Sequence, residues 1–316
     1  MSVLLKNISL ASYTTYKIGG PAKYFAEAKD AKDIIDALNK YNNLSPINKK
    51  IFILGGGANT LFSDEGYDGL VLKISIADIV IIGNSTIRVG AGTKLQDILN
   101  FAAKRNLTGI EWMAGIPGSL GGAIRGNAGA FGREIKDSVI SVRSIDMQNC
   151  ENTVDRQNNE IMFGYRTSVF KSAAKNEIIL SAEIKLSLGN VEDIQAQIQK
   201  NMDYRHERQP LEWPSAGSTF KNVNAVNATK EQLQEWSAII KTDPVPVIPV
   251  AFLISQAGLK GKTIGGAMIS EKHSNFFINI GSAKASDVRE LISFTKKIIQ
   301  EKFNLEIEEE IQIVNK

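Results

Sequence analysis

The feature that most constrains the fold of this chain is a glycine-rich stretch at residues 115–132, GIPGSLGGAIRGNAGAFG. Seven of its eighteen residues are glycine, yet Ile116, Ile124 and Phe131 make it too apolar for a flexible linker. Glycine allows backbone N–H groups to converge, and converging N–H dipoles bind anions. The stretch therefore predicts a packed loop whose main chain can lie against a phosphate or pyrophosphate.

A second glycine-dense segment, GGGAN at 55–59, follows the apolar run KIFIL and predicts a buried strand that ends in a tight turn. Two such loops can hold one pyrophosphate between them. For either loop alone, a turn between strands is the commoner use of glycine, so both interpretations stay open. The motif G-x-G-x-x-G does not fit because Thr60 stands at its last glycine, and a P-loop at Gly261 would require glycine where Gln256 stands.

Composition narrows the class of protein. The chain has 316 residues, of which 43% are hydrophobic and 22% charged, and its net charge is +3, which predicts a globular protein of two or three domains. It contains neither a Lys/Arg block nor a long apolar run, so neither nucleic-acid binding nor membrane insertion is expected. The lone Cys150, without a Cys/His cluster, predicts no metal site. The N-terminal segment lacks the apolar core of a signal peptide, and the expected compartment is the cytoplasm.

Hydrophobic periodicity predicts an α+β fold. The expected helices lie at 30–41, 93–106, 189–204 and 286–303, with a further helix after Pro249. Asp30 and Thr93 are natural N-caps for the first two helices. The strands are spaced too irregularly for a simple βαβ series. The segment RQPLEWPSAGS, which contains both proline and glycine, predicts a domain boundary near residue 205.

Seven segments carry a resemblance to a known family, in a fixed order from about residue 14 to residue 312. They are TTYKIGGPAKYF, ILGGGANTLFSDEGYDGLVLKI, WMAGIPGSLGGAIRGNAGAFGREIKD, FGYRTSVFK, RQPLEWPSAGSTFKN, AGLKGKTIGGAMISEKHSNFFIN and EEEIQI. The ordered set resembles the UDP-N-acetylenolpyruvoylglucosamine reductases, flavoenzymes that complete UDP-N-acetylmuramate for peptidoglycan. Each segment alone is a weak signal, but the ordered set is specific.

The resemblance implies an architecture, a cofactor and a substrate class. Residues 1–204 are expected to form an FAD-binding domain of the vanillyl-alcohol-oxidase (PCMH) type, with two subdomains that divide near residue 72. Residues 205–316 are expected to form a C-terminal α+β substrate-binding domain. FAD is the implied cofactor, NADPH the hydride-donating co-substrate and a UDP-sugar the substrate. The residues expected to contact FAD are Gly55, Gly56, Gly57, Ala58, Asn59, Thr60, Ile116, Pro117, Gly118, Ser119, Gly122, Ala123, Asn127 and Gly129.

Three residues match the catalytic positions of the family. Arg166, in GYRTSVF, is expected to face the substrate carboxylate, since a planar guanidinium suits a carboxylate or enolate. Ser218, in PSAGSTFKN, is the expected proton donor, and Glu310, in EEEIQI, is the expected carboxylic acid beside the developing negative charge. The neighbours that compete with Ser218 and Glu310 for these roles are Ser215, Thr219, Glu308 and Glu309.

Further residues are implied on the substrate side. The expected substrate contacts are Tyr165, Asn222 and Gln256, and the cations that can meet the UDP phosphates are Lys221, Arg208 and Lys262. The chain departs from the family at 223–248, which is longer than usual. Within it, Leu233, Trp236 and Ile239 predict an amphipathic helix. Whether this insertion covers the substrate, supports an oligomer contact or does neither stays open.

Two other functions also stay open at this point. An FAD-dependent oxidase of the same fold acting on another substrate would not need Arg166, Ser218 and Glu310 together. A non-catalytic nucleotide-binding protein would keep the glycine-rich loops, but no nicotinamide would reduce a flavin bound to it.

Overall fold

The computed structural model describes residues 2–44, 50–150, 152–242 and 245–316. The chain divides into two compact units. Unit 1 consists of Met1–Ile8, Ala22–Gly56 and Tyr67–Arg205, and unit 2 consists of Ser9–Pro21, Gly57–Gly66 and His206–Lys316. The first glycine-rich loop therefore changes unit between Gly56 and Gly57. The functional domains expected at 1–204 and 205–316, and the split near 72, stay predictions.

The described residues form α-helices separated by varying numbers of strands. The α-helices are α1 (Ala31–Leu44), α2 (Leu95–Ala103), α3 (Leu120–Gly126), α4 (Val191–Arg208), α5 (Lys230–Glu235), α6 (Val250–Gln256) and α7 (Ala285–Phe303). The strands are β1 (Leu5–Ser9), β2 (Pro21–Ala28), β3 (Ile51–Leu54), β4 (Thr60–Phe62), β5 (Tyr67–Ile74), β6 (Ile79–Ile81), β7 (Thr86–Gly90), β8 (Leu107–Thr108), β9 (Gly129–Ala130), β10 (Arg133–Glu134), β11 (Val139–Asp146), β12 (Thr153–Gln157), β13 (Glu177–Lys185), β14 (Ser187–Leu188), β15 (Ser215–Ser218), β16 (Val223–Asn224), β17 (Val247–Ile248), β18 (Thr263–Ile264), β19 (Ala267–Ile269), β20 (Phe276–Asn279) and β21 (Gln312–Val314). In these parts of the chain, no helix has the length and apolar character needed to cross a bilayer.

Unit 1 contains two main sheets. In the first, of order β1-β2-β5-β3, β2 and β3 both run parallel to β5. Strand β5 is an unbroken apolar run at its centre, where Leu70, Val71 and Leu72 are fully buried, as expected for a parallel strand covered on both faces. The second sheet, of order β12-β11-β13-β7-β6, is antiparallel throughout.

Unit 2 is built on an antiparallel sheet of order β15-β20-β19-β18. Helix α7 contributes the apolar face predicted from its sequence, and Val288, Leu291 and Ile299 are buried in a core shared with Phe277 of β20. Strand β21 runs parallel to β4, which brings the C-terminal segment to the end of the first glycine-rich loop.

Of the two N-caps expected from the sequence, one is confirmed and one is wrong. The Asp30 carboxylate accepts the N–H of Asp33 at 2.7 Å and caps α1. Helix α2 begins at Leu95 with Lys94 as N-cap, and Thr93 is not its cap. A tertiary contact serves this helix end instead, because the first N–H of α2, that of Leu95, donates to the Gly118 carbonyl at 3.2 Å.

The insertion at 223–248 folds onto the core of unit 2. Its ends pair with each other as β16 and β17. The expected helix is present only in part, as the short α5, which a capping box at Thr229 begins, and Trp236 and Ile239 lie beyond its end. Trp236 is 6% exposed, and its ring lies 5.7 Å from the rings of Phe252 in α6 and Phe303 in α7. The described part of the insertion is therefore anchored by an aromatic cluster.

Candidate active site

The second glycine-rich loop is fixed to the end of β7 by main-chain hydrogen bonds. Gly121 N–H donates to the Ala91 carbonyl at 2.8 Å, and Leu95 N–H donates to the Gly118 carbonyl at 3.2 Å. Gly118 has φ +119°, a conformation that side chains rarely adopt. The loop is therefore a rigid part of unit 1, as its apolar residues predict.

In unit 1 the two glycine-rich loops are in direct contact. Gly56 N–H donates to the Ser119 hydroxyl at 3.1 Å. A Cβ on Gly56 would lie 2.6 Å from Gly118 Cα, and one on Gly55 would lie 2.6 Å from Ser119 Oγ. Because the atom near Gly56 belongs to the main chain and cannot move aside, the contact between the loops requires glycine at Gly56, whereas a side chain at Gly55 would displace the Ser119 hydroxyl.

Other parts of the same loop face open space. Gly122 and Gly126 lie in α3, and outside the backbone of that helix a Cβ on Gly122 would meet nothing closer than the Ser119 hydroxyl at 3.8 Å, and one on Gly126 would meet no atom within 4 Å. The carbonyl of Thr93 accepts the N–H of Leu120 at the start of α3, and the Thr93 hydroxyl is buried and has no hydrogen-bond partner among the described residues. The uncovered surface at Gly122 and the unpaired Thr93 hydroxyl both suit a cofactor that carries many hydrogen-bond acceptors. The residues present therefore fit FAD.

The remaining residues of the first loop, from Gly57 to Thr60, belong to unit 2. Gly57 has φ +64°, and its Cβ would lie 2.0 Å from the Tyr13 carbonyl oxygen. The Asn59 side chain donates to the Glu310 carbonyl at 3.0 Å, and the Asn59 carbonyl accepts the N–H of Gln312 at 2.9 Å. The loop thus pairs with the segment that carries the predicted catalytic glutamate.

Arg166 sits in a tight turn of unit 1. Gly164 and Thr167 exchange main-chain hydrogen bonds across the turn, and Arg166 has φ +56°. The turn is held from outside, because the buried Asn127 side chain donates to the Gly164 carbonyl at 2.9 Å. The Arg166 guanidinium lies 5.2 Å from the Tyr165 ring centroid. Unit 1 therefore brings together Asn127, Tyr165 and Arg166, all predicted site residues.

Unit 2 brings Ser218 and Glu310 onto neighbouring segments. Ser218 ends β15, where it pairs with Phe276 of β20. The next carbonyl, that of Thr219, accepts the N–H of Glu310 at 2.8 Å. Both side chains are partly buried. Sequence reasoning missed Asn275, whose side chain pairs with both main-chain polar groups of Phe220 and supports this strand end.

The rivals of Glu310 are engaged in ion pairs. The Glu308 carboxylate lies 2.9 Å from the Lys221 ammonium, and this partner lowers the pKa of Glu308 below its usual range. Glu309 lies 3.0 Å from Lys296. A carboxylate that is held ionised by a lysine is poorly suited to carry a proton, which argues against Glu308 as the acid.

Apart from Tyr165, the residues expected to bind the substrate lie in unit 2. The Asn222 side-chain oxygen accepts the N–H of Val250 at 3.2 Å, at the start of α6, while Gln256 ends that helix and is exposed. The Lys262 ammonium lies 5.0 Å from the Phe294 ring centroid, and Lys221 is paired as described. Arg208 ends α4 and lies 4.0 Å from the Glu207 carboxylate.

Comparison with known proteins gives a consistent result. Two family models match the chain, namely an FAD binding domain over residues 22–150 and the C-terminal domain of UDP-N-acetylenolpyruvoylglucosamine reductase over residues 209–314. The UDP-N-acetylenolpyruvoylglucosamine reductase of Caldanaerobacter subterraneus subsp. tengcongensis is 40% identical, with 98% of this chain and 93% of that protein covered. The one from Bacillus subtilis is 36% identical, with 98% and 94% covered. The crystal structure of the Thermus caldophilus reductase gives a TM-score of 0.75 at 28% identity and covers 99% of both chains.

These matches define the class of protein first. The FAD-binding model and the full-length structural match make the chain an FAD-dependent oxidoreductase with an α+β fold, so the predicted fold class and cofactor are confirmed. More narrowly, the chain belongs to the UDP-N-acetylenolpyruvoylglucosamine reductase family. The resemblance recognised from seven ordered segments is thereby confirmed, while the roles of single residues stay predictions.

Proposed function

We propose that the chain reduces the enolpyruvyl ether of UDP-N-acetylglucosamine to UDP-N-acetylmuramate, a step of peptidoglycan precursor synthesis, with NADPH as hydride source. The observation that carries this proposal is family membership along nearly the whole chain, together with a glycine-rich loop that combines packed and open main chain. Residues 1–204 are assigned to FAD and residues 205–316 to the UDP-sugar, in a cytoplasmic enzyme.

The cofactor is held by main chain from both glycine-rich loops. Ser119 and Gly118 fix the second loop against Gly56, while Gly122 leaves the surface of α3 uncovered and the Thr93 hydroxyl has no partner among the described residues. When bound, FAD accepts a hydride from NADPH and supplies it to the terminal vinyl carbon of the substrate.

Arg166 binds the substrate carboxylate. Addition of hydride to the vinyl carbon leaves negative charge on the neighbouring carbon, and this charge spreads into the carboxylate. A guanidinium stabilises such an enolate with two parallel N–H donors. The turn that carries Arg166 is held by Asn127, which limits the freedom of the side chain before substrate arrives.

Ser218 donates the proton to the carbon beside the carboxylate. A serine hydroxyl is a weak acid, so it acts only where the charge that it neutralises is already concentrated. Its place at the end of β15, paired with β20, fixes the position of its Cα.

Glu310, in its protonated form, donates a hydrogen bond to the developing enolate. Such a donor is worth about 3–4 kcal/mol to the transition state when it is fixed in advance. The pairing of Glu308 with Lys221, which lowers the pKa of that carboxyl, argues against Glu308 in this role.

Tyr165, Asn222 and Gln256 are assigned to substrate binding, and Lys221, Arg208 and Lys262 to the UDP phosphates. The hydrogen bond from Val250 N–H to Asn222 orients that amide for such a contact.

The proposal is tested by mixing the purified protein with NADPH and the enolpyruvyl nucleotide. NADPH oxidation should depend on the nucleotide, and mass spectrometry should show a product heavier by two hydrogen atoms. NADPH oxidation that occurs at the same rate without the nucleotide, with oxygen as acceptor, would instead indicate an oxidase. If no NADPH is oxidised under either condition, the chain is not an oxidoreductase of this kind.

A further inference from the structure

Helix α4 carries two buried polar side chains on one face. Asn201 is 4% exposed and Arg205 is 7% exposed, although most of the helix is solvated. Residues four apart lie on the same face of a helix, so the two side chains project toward the same neighbour. Arginine and asparagine are rarely buried to this extent unless they satisfy other polar groups.

Those polar groups are the main-chain carbonyls just before the second glycine-rich loop. The Asn201 side chain donates to the Glu111 carbonyl at 2.8 Å. Arg205 Nε donates to the Ala114 carbonyl at 2.7 Å, and its Nη2 donates to the Trp112 carbonyl at 3.4 Å. One side chain thus holds two carbonyls of a segment that continues directly into Gly115 and Ile116.

The fit between α4 and this segment is close. Gly115 has φ +73°, and its Cβ would lie 2.9 Å from Arg205 Cδ and 2.9 Å from Met202 Sδ. At the other end of the loop, the Phe131 ring centroid lies 5.1 Å from the Arg205 guanidinium. The same arginine therefore contacts the residues that precede and follow the stretch proposed to hold FAD.

We infer that Arg205 is a positioning residue for FAD, acting through the main chain of residues 112–115. This inference rests on the proposed role of the loop in binding FAD. The planar guanidinium has donors in fixed directions, so it sets the orientation of the Ala114 and Trp112 carbonyls together, whereas a lysine donates from a single point. Because the site is buried, solvent does not replace these donors when they are removed.

The experiment compares Arg205→Met and Arg205→Lys with Lys200→Met, an exposed position of the same helix that serves as the control. The holoprotein is diluted, and the release of FAD is followed by the rise in flavin fluorescence, with dissociation constants from equilibrium dialysis. Arg205→Met should bind FAD about 10- to 100-fold more weakly, because hydrogen bonds to a charged donor are lost. Arg205→Lys should lose about 3- to 10-fold, and Lys200→Met should match the wild type.

A second readout separates positioning from general stability. The thermal midpoint of each variant is measured without added FAD, because weaker FAD binding by itself lowers the midpoint measured in FAD. A positioning role predicts that the dissociation constant of the folded protein rises whether or not the midpoint falls, whereas a merely structural role lowers the midpoint and leaves that dissociation constant unchanged. If Arg205→Met does not fold, the FAD dissociation constant of Arg205→Lys decides whether Arg205 positions FAD.

Wild-type FAD affinity in a folded Arg205 variant would overturn the inference. The measurement requires no substrate, so it is independent of the proposed reaction. If the wild type binds FAD but does not turn over the enolpyruvyl nucleotide, the proposed reaction fails while the role of Arg205 is still decided. If the wild type binds no FAD, both are overturned.

Discussion

The glycine-rich loops of unit 1 and the strand ends of unit 2 are proposed to present different kinds of group. In the loops of unit 1 the proposed group is main chain, and close packing requires glycine at Gly56, whereas Gly122 faces open space. In unit 2 the proposed groups are side chains, and Ser218 and Glu310 lie on segments joined by a main-chain hydrogen bond. Substitutions of these glycines should therefore act by adding volume, and those of Ser218 and Glu310 by removing a chemical group.

The largest expected effect belongs to unit 2. Ser218→Ala should slow the step with the enolpyruvyl nucleotide by about 10²–10⁴-fold, because the proton donor is removed. Reduction of the flavin by NADPH should be unchanged. Stopped-flow absorbance of each half-reaction checks this. Loss of both half-reactions together would show that Ser218 acts through the fold, and the contrast between the units would be wrong.

The second effect concerns the acid. Glu310→Ala should slow the same half-reaction by about 10²–10³-fold, whereas Glu310→Gln keeps a donor and should be milder. Glu308→Gln is the matched control, since its carboxylate is engaged by Lys221, and it should stay near the wild-type rate. If Glu308→Gln were as slow as Glu310→Ala, the assignment of the acid to Glu310 would be wrong.

The third effect compares two glycines of unit 1. Gly56→Ala should lower the free energy of unfolding by about 1–3 kcal/mol, since its Cβ would meet Gly118 Cα at 2.6 Å. Gly122→Ala, within α3, should leave that free energy unchanged or raise it by about 0.5–1 kcal/mol while weakening FAD binding. Urea denaturation without added FAD and FAD titration measure the two quantities. If Gly56→Ala and Gly122→Ala lowered the free energy of unfolding equally, the distinction between packed and open glycines would be wrong.

The smallest effect is a pH dependence. Lys221 lowers the pKa of Glu308, so the stability from this pair is present above the ordinary carboxyl pKa and is lost as the pH falls through the lowered value. The pair is largely exposed, so its contribution should be below about 1 kcal/mol. The difference in unfolding free energy between the wild type and Lys221→Met should therefore vanish in acid. A difference that is constant from about pH 7 to about pH 3 would contradict the ion pair.

The sequence predicted what depends on local pattern. The apolar face of α7, the strand β3 before the first glycine-rich loop and the cap at Asp30 follow from residues close in the chain, and all are present. Recognition of seven ordered segments gave the family, because an ordered set along the chain is specific where each loop alone is not.

The sequence did not predict what depends on distant partners. Thr93 had the residue type of a helix cap, but the first N–H of α2 donates instead to the carbonyl of Gly118, which is distant in sequence. The contact of Gly56 with Ser119 joins residues 63 positions apart, and the hydrogen bond from Arg205 to Ala114 joins residues 91 apart. The pattern of residue types within a short stretch of sequence carries no information on such distant pairs. Their residue types, glycine and arginine, are equally common in turns and on surfaces.

The most direct test of the whole account is an anaerobic titration of the purified wild-type protein followed by visible absorbance. The protein should be yellow, should lose its colour on addition of NADPH, and should regain it on addition of the enolpyruvyl nucleotide. A colourless preparation that takes up no FAD, or a reduced flavin that the enolpyruvyl nucleotide leaves colourless, would contradict the account.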